Sequence, residues 1–449
     1  MTFTPARTPT RGLGILLLAA GLAGAQGPLT LADAIREVRR SSDETKLIGE
    51  KRAKLDAMKS ELWASTMPQV SAYANAGRGA QPFDLGSLGF NDSTGGSTVL
   101  NPAQNRYSYG IQVNQTLLSP ALGQSIVTAG KQVRAQDAAN RRSLQELELQ
   151  ALDGFYGVVM SEARVKVIRA SLERQAKTVG FLEANFRRGA GTRSTMLLTQ
   201  ASLKALEPER IRAERDAEAA RMAFNRLLGR AVDAPLTLDT ASALDAGTVE
   251  VSNGAVESAV ENRPDIQAIA LQKDALKGYA RVYRLQYLPS LGAQGKWGIL
   301  AYKMDEQLTD FDHNLEWQVG VGLTWNLFDG LGNRAKARQY DSDVRSLAAN
   351  ERQARAFARI EIESARREAA AADTALSAAT QARDASAEAL ELISQDFRAG
   401  AGQVTDLLSA EEGLRAAESG LLAARYQKAR AHAALRIALG KDLTKETSK

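Results

Sequence analysis

Two stretches of the chain alternate between apolar and polar positions. Tyr107, Tyr109, Ile111, Val113 and Leu117 fall on one face, with Ser108, Gly110, Gln112, Asn114 and Thr116 on the other and Gln115 as the interruption. From Leu315 the pattern returns as Leu315, Trp317, Val319, Val321, Leu323, Trp325 and Leu327 against Glu316, Gln318, Gly320, Gly322, Thr324 and Asn326. Period two over such lengths predicts strands, about 106–117 and 315–327, each long enough for a tilted membrane strand. Two fainter segments precede them. Leu291, Ala293, Gly295, Trp297 and Ile299 mark a strand over about 289–300, and the Ala- and Gly-rich 69–79 marks the weakest. Tyr107, Tyr109, Ile111, Val113, Trp297, Trp317, Val319, Val321, Leu323 and Trp325 form the apolar face, and its tryptophans suit an interfacial aromatic belt. A soluble β-sandwich face packed on a core shares this alternation.

Elsewhere the spacing is helical. Leu31–Thr66, with Thr30 as N-cap and Asp33 in the first turn, and Val256–Tyr287 each read as one helix, ended by Pro68 and Pro289. Residues 121–187 carry a 3,4 spacing through Leu147, Ala151, Val158, Val165, Ile168, Val179 and Leu182, with Gly154 and Gln175 as exceptions. The same seam recurs in alanine-rich form through Ile362, Ala369, Ala372, Leu390 and Phe397. A helix of this extent is on the order of 100 Å long. It needs partners along its length, and the return helices 192–229 and 403–440 supply them. Pro208 is expected to kink the first.

The chain is therefore a duplication. Asn185-Phe186-Arg187-Arg188-Gly189-Ala190-Gly191-Thr192 returns as Asp396-Phe397-Arg398-Ala399-Gly400-Ala401-Gly402-Gln403, an offset of 211, and Leu228-Gly229 returns as Leu439-Gly440. The division is 1–25 leader, 26–229 first repeat, 230–254 linker, 255–440 second repeat and 441–449 tail. Each repeat runs helix, two strands, long helix, tight turn and return helix.

Composition narrows the function. Cysteine is absent and only His313 and His432 are present, which leaves little for a metal site or catalytic triad, and no cofactor is expected. Arg7 and Arg11, the short apolar run Gly12–Leu22 and Ala23-Gly24-Ala25 read as a secretory signal. Its removal takes away two arginines and no acid, so the net charge falls from +5 to +3, too small and too dispersed for a nucleic-acid binder. Beyond it no run of 18 apolar residues occurs, so a membrane crossing would have to be a β-barrel. Acidic residues share helical faces with Lys and Arg, as solvated pairs do, and no nucleophile or phosphate loop stands out. The chain does not read as an enzyme.

Four strands cannot close a barrel, and open edges in lipid would leave backbone groups unpaired. Three copies would supply twelve strands, within the known range. The expected fold is mainly α with a transmembrane β part: a long antiparallel helical coiled-coil barrel, joined to four strands per protomer of a 12-stranded trimeric barrel. A soluble periplasmic coiled-coil scaffold with a small β-domain is the alternative.

On Pro68 and Pro289 before the strands, Asn326-Leu327-Phe328-Asp329-Gly330 at a strand-to-helix junction and the Phe-Arg-x-Gly-x-Gly turns, the chain resembles the outer-membrane efflux (TolC) family over nearly its whole mature length. The resemblance implies a homotrimeric exit duct in the outer membrane with a long periplasmic extension, working with a periplasmic adaptor and an inner-membrane pump. It further implies that Phe186, Arg187, Gly189, Gly191, Thr192, Phe397, Arg398, Gly400, Gly402 and Gln403 form adaptor-contacting tips, though the glycines serve equally as helix terminators. Asp406 occupies a position where relatives place a constricting acid, with Ser409 where a second Asp is often found. A single Asp there is also a favourable dipole partner.

Overall fold

The computed structural model describes residues 28–79, 82–83, 99–100, 104–189, 192–239, 255–303, 309–310 and 312–443. The leader 1–25, Gly191, linker residues 240–254 and tail residues 444–449 lie outside them. In chain order the elements are α1 (Leu31–Ser41), α2 (Asp43–Ala64), β1 (Gln69–Gly79), β2 (Pro82–Phe83), β3 (Val99–Leu100), β4 (Gln104–Leu118), α3 (Pro120–Arg187) and α4 (Arg193–Leu228). The second repeat continues with α5 (Ala255–Asn262), α6 (Pro264–Leu285), β5 (Ser290–Ala301), β6 (Leu315–Thr324), α7 (Gly332–Arg398) and α8 (Val404–Ala438).

Each helix expected before the strands is in fact two. The first breaks at Ser42, an extended residue whose side chain accepts a hydrogen bond from the Thr45 amide at 3.1 Å and so starts α2 afresh. The second breaks at Arg263, also extended, because Pro264 lacks an amide hydrogen and bars its predecessor from helical geometry. The return helices explain why the breaks persist. α4 ends at Gly229 (φ 74°), where a β-carbon would lie 2.6 Å from the Ser41 carbonyl. α8 is followed by Gly440 (φ 75°), where it would lie 3.3 Å from Arg263 Cα. In both repeats the end of the return helix packs onto the break. Thr30 caps α1 by accepting from the Asp33 amide at 3.2 Å, as its sequence indicates.

The long helices run as expected, and Leu147, Ala151, Val158, Val165, Ile168, Val179 and Leu182 are buried along the seam of α3. Gly154, an exception in the apolar pattern, leaves room for Phe224: a β-carbon there would meet the ring at 2.7 Å. α4 runs through Pro208 as one helix. A core of Ile35, Val38, Phe155, Tyr156, Phe224 and Leu228 gathers α1, α3 and α4, and a second around Val260, Ile362, Leu435 and Leu439 gathers α5, α7 and α8.

The main sheet is antiparallel with order β1-β4-β5-β6, so the repeats join through β4 and β5. There the backbones approach closely. A β-carbon on Gly110 would lie 2.2 Å from the Trp297 carbonyl, and one on Gly298 would lie 2.2 Å from that of Tyr109. The segment 69–79 forms a full strand despite its faint alternation, because its apolar face consists of Val70, Ala72, Ala74 and Ala76. β6, expected to reach Leu327, stops at Thr324. The Trp325 indole instead donates to the Tyr287 carbonyl at 2.9 Å, and the Tyr287 hydroxyl donates to Asp329 at 3.0 Å. These bonds draw the chain toward the end of α6 before it turns through Gly330 and Leu331 (φ 66° and 69°) into α7. The Asn333 amide, and after it the Tyr287 hydroxyl, hold the Asp329 carboxyl below the usual carboxylate range.

Candidate functional site: the apolar sheet face and the hairpin tips

Antiparallel partners share a face, so the register tests the predicted apolar surface directly. Tyr107 pairs with Ala301, Tyr109 with Ile299, Ile111 with Trp297 and Val113 with Gly295. On β6, Trp317 pairs with Trp297, Val319 with Gly295, Val321 with Ala293 and Leu323 with Leu291. All the named strand residues therefore stand on one face; Trp325 lies just past the strand. The face is open along β6, with Trp317 69%, Val319 77%, Val321 66% and Leu323 66% exposed, while Ile299 and Ala301 at one end of β5 are buried. A soluble sheet would cover such a row, and a lipid-facing one would not. The opposite face is polar: Lys296 lies 4.9 Å from the Tyr73 ring centre and 3.6 Å from the Glu316 carboxylate.

At the far end of the long helices the two tip turns differ. In the first, the Gly189 amide donates to the Phe186 carbonyl, with Gly189 at φ 76°. Thr192 caps α4 through the Thr195 amide at 3.3 Å. Phe186 and Arg187 are exposed. In the second, Gly400 takes φ 80°, and the amides of Ala401 and Gly402 both donate to the Asp396 carbonyl. A β-carbon on Gly402 would lie 3.0 Å from the Phe397 nitrogen, a tight contact that disfavours a side chain in this turn. Phe397 folds inward onto Phe181, ring centres 6.1 Å apart, while Arg398 and Gln403 stay exposed. Both glycines reverse the chain, and both turns also present side chains to solvent.

Asp406 sits exposed in the first turn of α8, and its carboxylate has no ion-pair partner among the described residues. Ser409, also exposed, lines a groove against Ser202, Leu206 and Glu209 of α4, where Arg415 bridges to Glu209 at 2.9 Å. Two buried acids escape the sequence pattern: Glu148 of α3, which pairs with Arg39 at 2.8 Å, and Glu411. Glu411 of α8 is 3% exposed, and burial raises its carboxyl above the usual range. The signal was present: Glu411 interrupts the apolar spacing of Leu407, Leu414 and Leu421, all buried.

Comparison with known proteins places this architecture. The sequence profile of the outer membrane efflux protein family matches residues 52–230 and 255–441, one segment per repeat. Outer membrane protein TolC of Vibrio cholerae is 22% identical over 336 residues, covering 74% of this chain and 76% of that protein. Among solved structures, CusC superposes with a TM-score of 0.73 at 16% identity, covering 92% of both chains. The open state of the MtrE channel of Neisseria gonorrhoeae superposes with a TM-score of 0.72 at 19% identity, covering 93% of this chain and 91% of that one. The soluble-scaffold alternative does not survive this agreement. With its duplicated hairpins, its four-stranded sheet and a profile match in both repeats, the chain belongs to the outer membrane efflux protein family, a family of outer-membrane exit channels.

Proposed function

We propose that three copies of this chain close into one continuous duct, which passes substrates delivered by a periplasmic adaptor and an inner-membrane pump to the exterior. The observation that carries the reading is the incompleteness of one chain measured against its own internal repeat. α6 lies between α3 and α7: the Tyr279 hydroxyl donates to Gln132 of α3 at 2.6 Å, and Arg284 pairs with Asp341 of α7 at 2.5 Å. α2 is its counterpart at an offset of 221, but besides α1 and the Glu44–Arg226 pair to the end of α4 it has only α3 to pack on, with Arg52 on Asp137 at 2.7 Å, and it leaves Leu47, Met58 and Trp63 exposed. The missing neighbour is a second copy's α7. The sheet repeats the argument, since β1 and β6 are unpaired edges that lipid would penalise. Two repeats per chain and three chains give twelve strands, enough for a water-filled interior.

Duplication also gives a contact to test. Met58 takes the position in α2 that Tyr279 takes in α6, and Asp343 takes the position in α7 that Gln132 takes in α3. The natural chain has no cysteine, so the double variant Met58→Cys/Asp343→Cys reports this contact without background. Oxidation in detergent is expected to give a ladder ending at three chains. A chain that stays monomeric, or a ladder ending at two, would remove the proposal.

At the periplasmic end, Phe186, Arg187, Gly189, Gly191, Thr192, Phe397, Arg398, Gly400, Gly402 and Gln403 are the proposed adaptor contacts. Three Asp406 carboxylates would ring the narrow end and attract cations. Ser409, one turn on, offers no second charge to that ring.

A further inference from the structure

Between the two hairpins, just behind the tips, lies a cavity of about 330 Å³. α3 contributes Arg174, Lys177 and Phe181, α7 contributes Glu391, Phe397 and Arg398, and α8 contributes Leu407 and Glu411. Its polar atoms are poorly matched. Glu411 Oε2 is buried with no hydrogen-bond partner, and so are the Nε and Nη2 of Arg174; Gln175, on the adjoining groove, hydrogen-bonds the Glu411 carboxylate and leaves its own Oε1 unpartnered. One heptad along α8, Glu418 Oε2 is in the same state. A buried polar atom without a partner loses the hydrogen bond that water gave it, so this seam is held less firmly than the apolar packing beside it.

The charges around Glu411 do not neutralise it by contact. Arg174 is near enough to act on the carboxylate through its field but forms no ion pair with it. Lys177 is occupied by Glu173 on its own helix at 2.8 Å. From α7, Glu391 and Arg398 bring one charge of each sign to the cavity. On the neighbouring groove, Arg415 is held by Glu209 of α4, with Glu412 beside it. A proton on Glu411 would remove the buried charge, and with it the need for the hydrogen bond that Gln175 gives the ionised carboxylate.

We propose that Glu411 is a proton-operated latch between the two hairpins of each protomer, closed when its carboxyl carries a proton and released when it is ionised. The sign follows from linkage. Burial raises the carboxyl in the closed seam, and the opposing pull of Gln175 and Arg174 does not cancel it. Parting the hairpins hydrates the group and returns it to the ordinary carboxylate range. The closed state therefore binds the proton more tightly, gains as pH falls and loses as pH rises through the closed-state pKa. The proposal rests on the duct reading only for its consequence at the tip.

The test measures the seam itself. Nitroxides on Arg187→Cys and Arg398→Cys, one labelled copy among excess unlabelled chains, report the distance between the hairpin tips by pulsed electron resonance. The ratio of short to long separations is expected to rise severalfold as pH falls from about 8 to the ordinary carboxylate value of 4.5. The isosteric Glu411→Gln should hold the acid-like ratio at both values. Gln175→Leu, which removes a polar neighbour of the ionised form, should move the midpoint to higher pH and serves if Glu411→Gln misfolds. A ratio that ignores pH, hairpins that part on acidification, or a Glu411→Gln protein that keeps the wild-type response would each overturn the latch. Loss of the duct reading would look different: no conductance in a bilayer while the hairpins still answer to pH.

Discussion

α3 and α7 hold equivalent places in the two repeats and have 68 and 67 residues, yet their surroundings differ sharply. α3 is packed by α1, α2, α4, α6 and α8, whereas α7 is packed by α5, α6 and α8. Ile360 of α7 is 64% exposed, while Leu149, at the same place in α3, packs against the first core. Chemical character at that position hardly changes; what changes is whether another repeat follows. The chain completes the seam between its own repeats and leaves the next one open. On the duct reading proposed above a second copy fills that seam, because a surface satisfied at home cannot bind a neighbour.

The comparison can be broken residue by residue. The largest effect is expected at the helix breaks. In the second repeat, buried Arg263 pairs with Asp265 at 2.8 Å and Glu361 at 2.7 Å and donates to the Ala438 carbonyl at 3.1 Å. Arg263→Ala takes the donor from the Ala438 carbonyl and a shared partner from Asp265 and Glu361, which are partly exposed, so destabilisation of about 2–3 kcal/mol is expected, read from denaturant unfolding in detergent. Next comes the crossing of α3 and α6, where a β-carbon on Gly278 would lie 2.3 Å from Thr128 Oγ1. Gly278→Ile should destabilise the protomer by about 1–3 kcal/mol. The equivalent substitution in α2, Ala57→Ile at an exposed position, should leave the protomer intact and weaken trimer formation, seen by sedimentation. Equal effects of the two would remove the distinction between inner and outer seams.

The first-repeat break rests on less. Ser42→Ala deletes the cap of α2, for an expected loss of about 1 kcal/mol by the same unfolding measurement. Last are the tips. Asp406 in the second repeat corresponds to Thr195 in the first, so only one hairpin brings a carboxylate. Asp406→Ala is expected to leave stability nearly unchanged and to reduce cation block in single-channel recording; unaltered block would remove the ring.

Much of this architecture was legible before any coordinates. Strict alternation from Tyr107 and from Leu315 fixed a face, because period two admits one assignment of sides. The seam through Leu147 to Leu182 fixed a long helix for the same reason with a different period. The matching tip turns announced two hairpins. The helix break at Arg263 was also written in the chain, by Pro264. The break at Ser42 was not, since a serine is compatible with a helix interior and the packing of Gly229 against Ser41 decides the matter. Leu327 continues an alternating pattern and still leaves the strand, because Tyr287, distant in sequence, captures Trp325 and Asp329.

Local periodicity, punctuation by glycine and proline, and duplication thus determined which elements form, which face of each is apolar and how the repeats correspond. Only the tertiary structure decided which seams one chain closes for itself and which it leaves open. It alone revealed that Glu411, one acid among many on α8, is sealed between two hairpins. The reason is that periodicity records what a side chain prefers, whereas burial depends on what the rest of the fold brings against it.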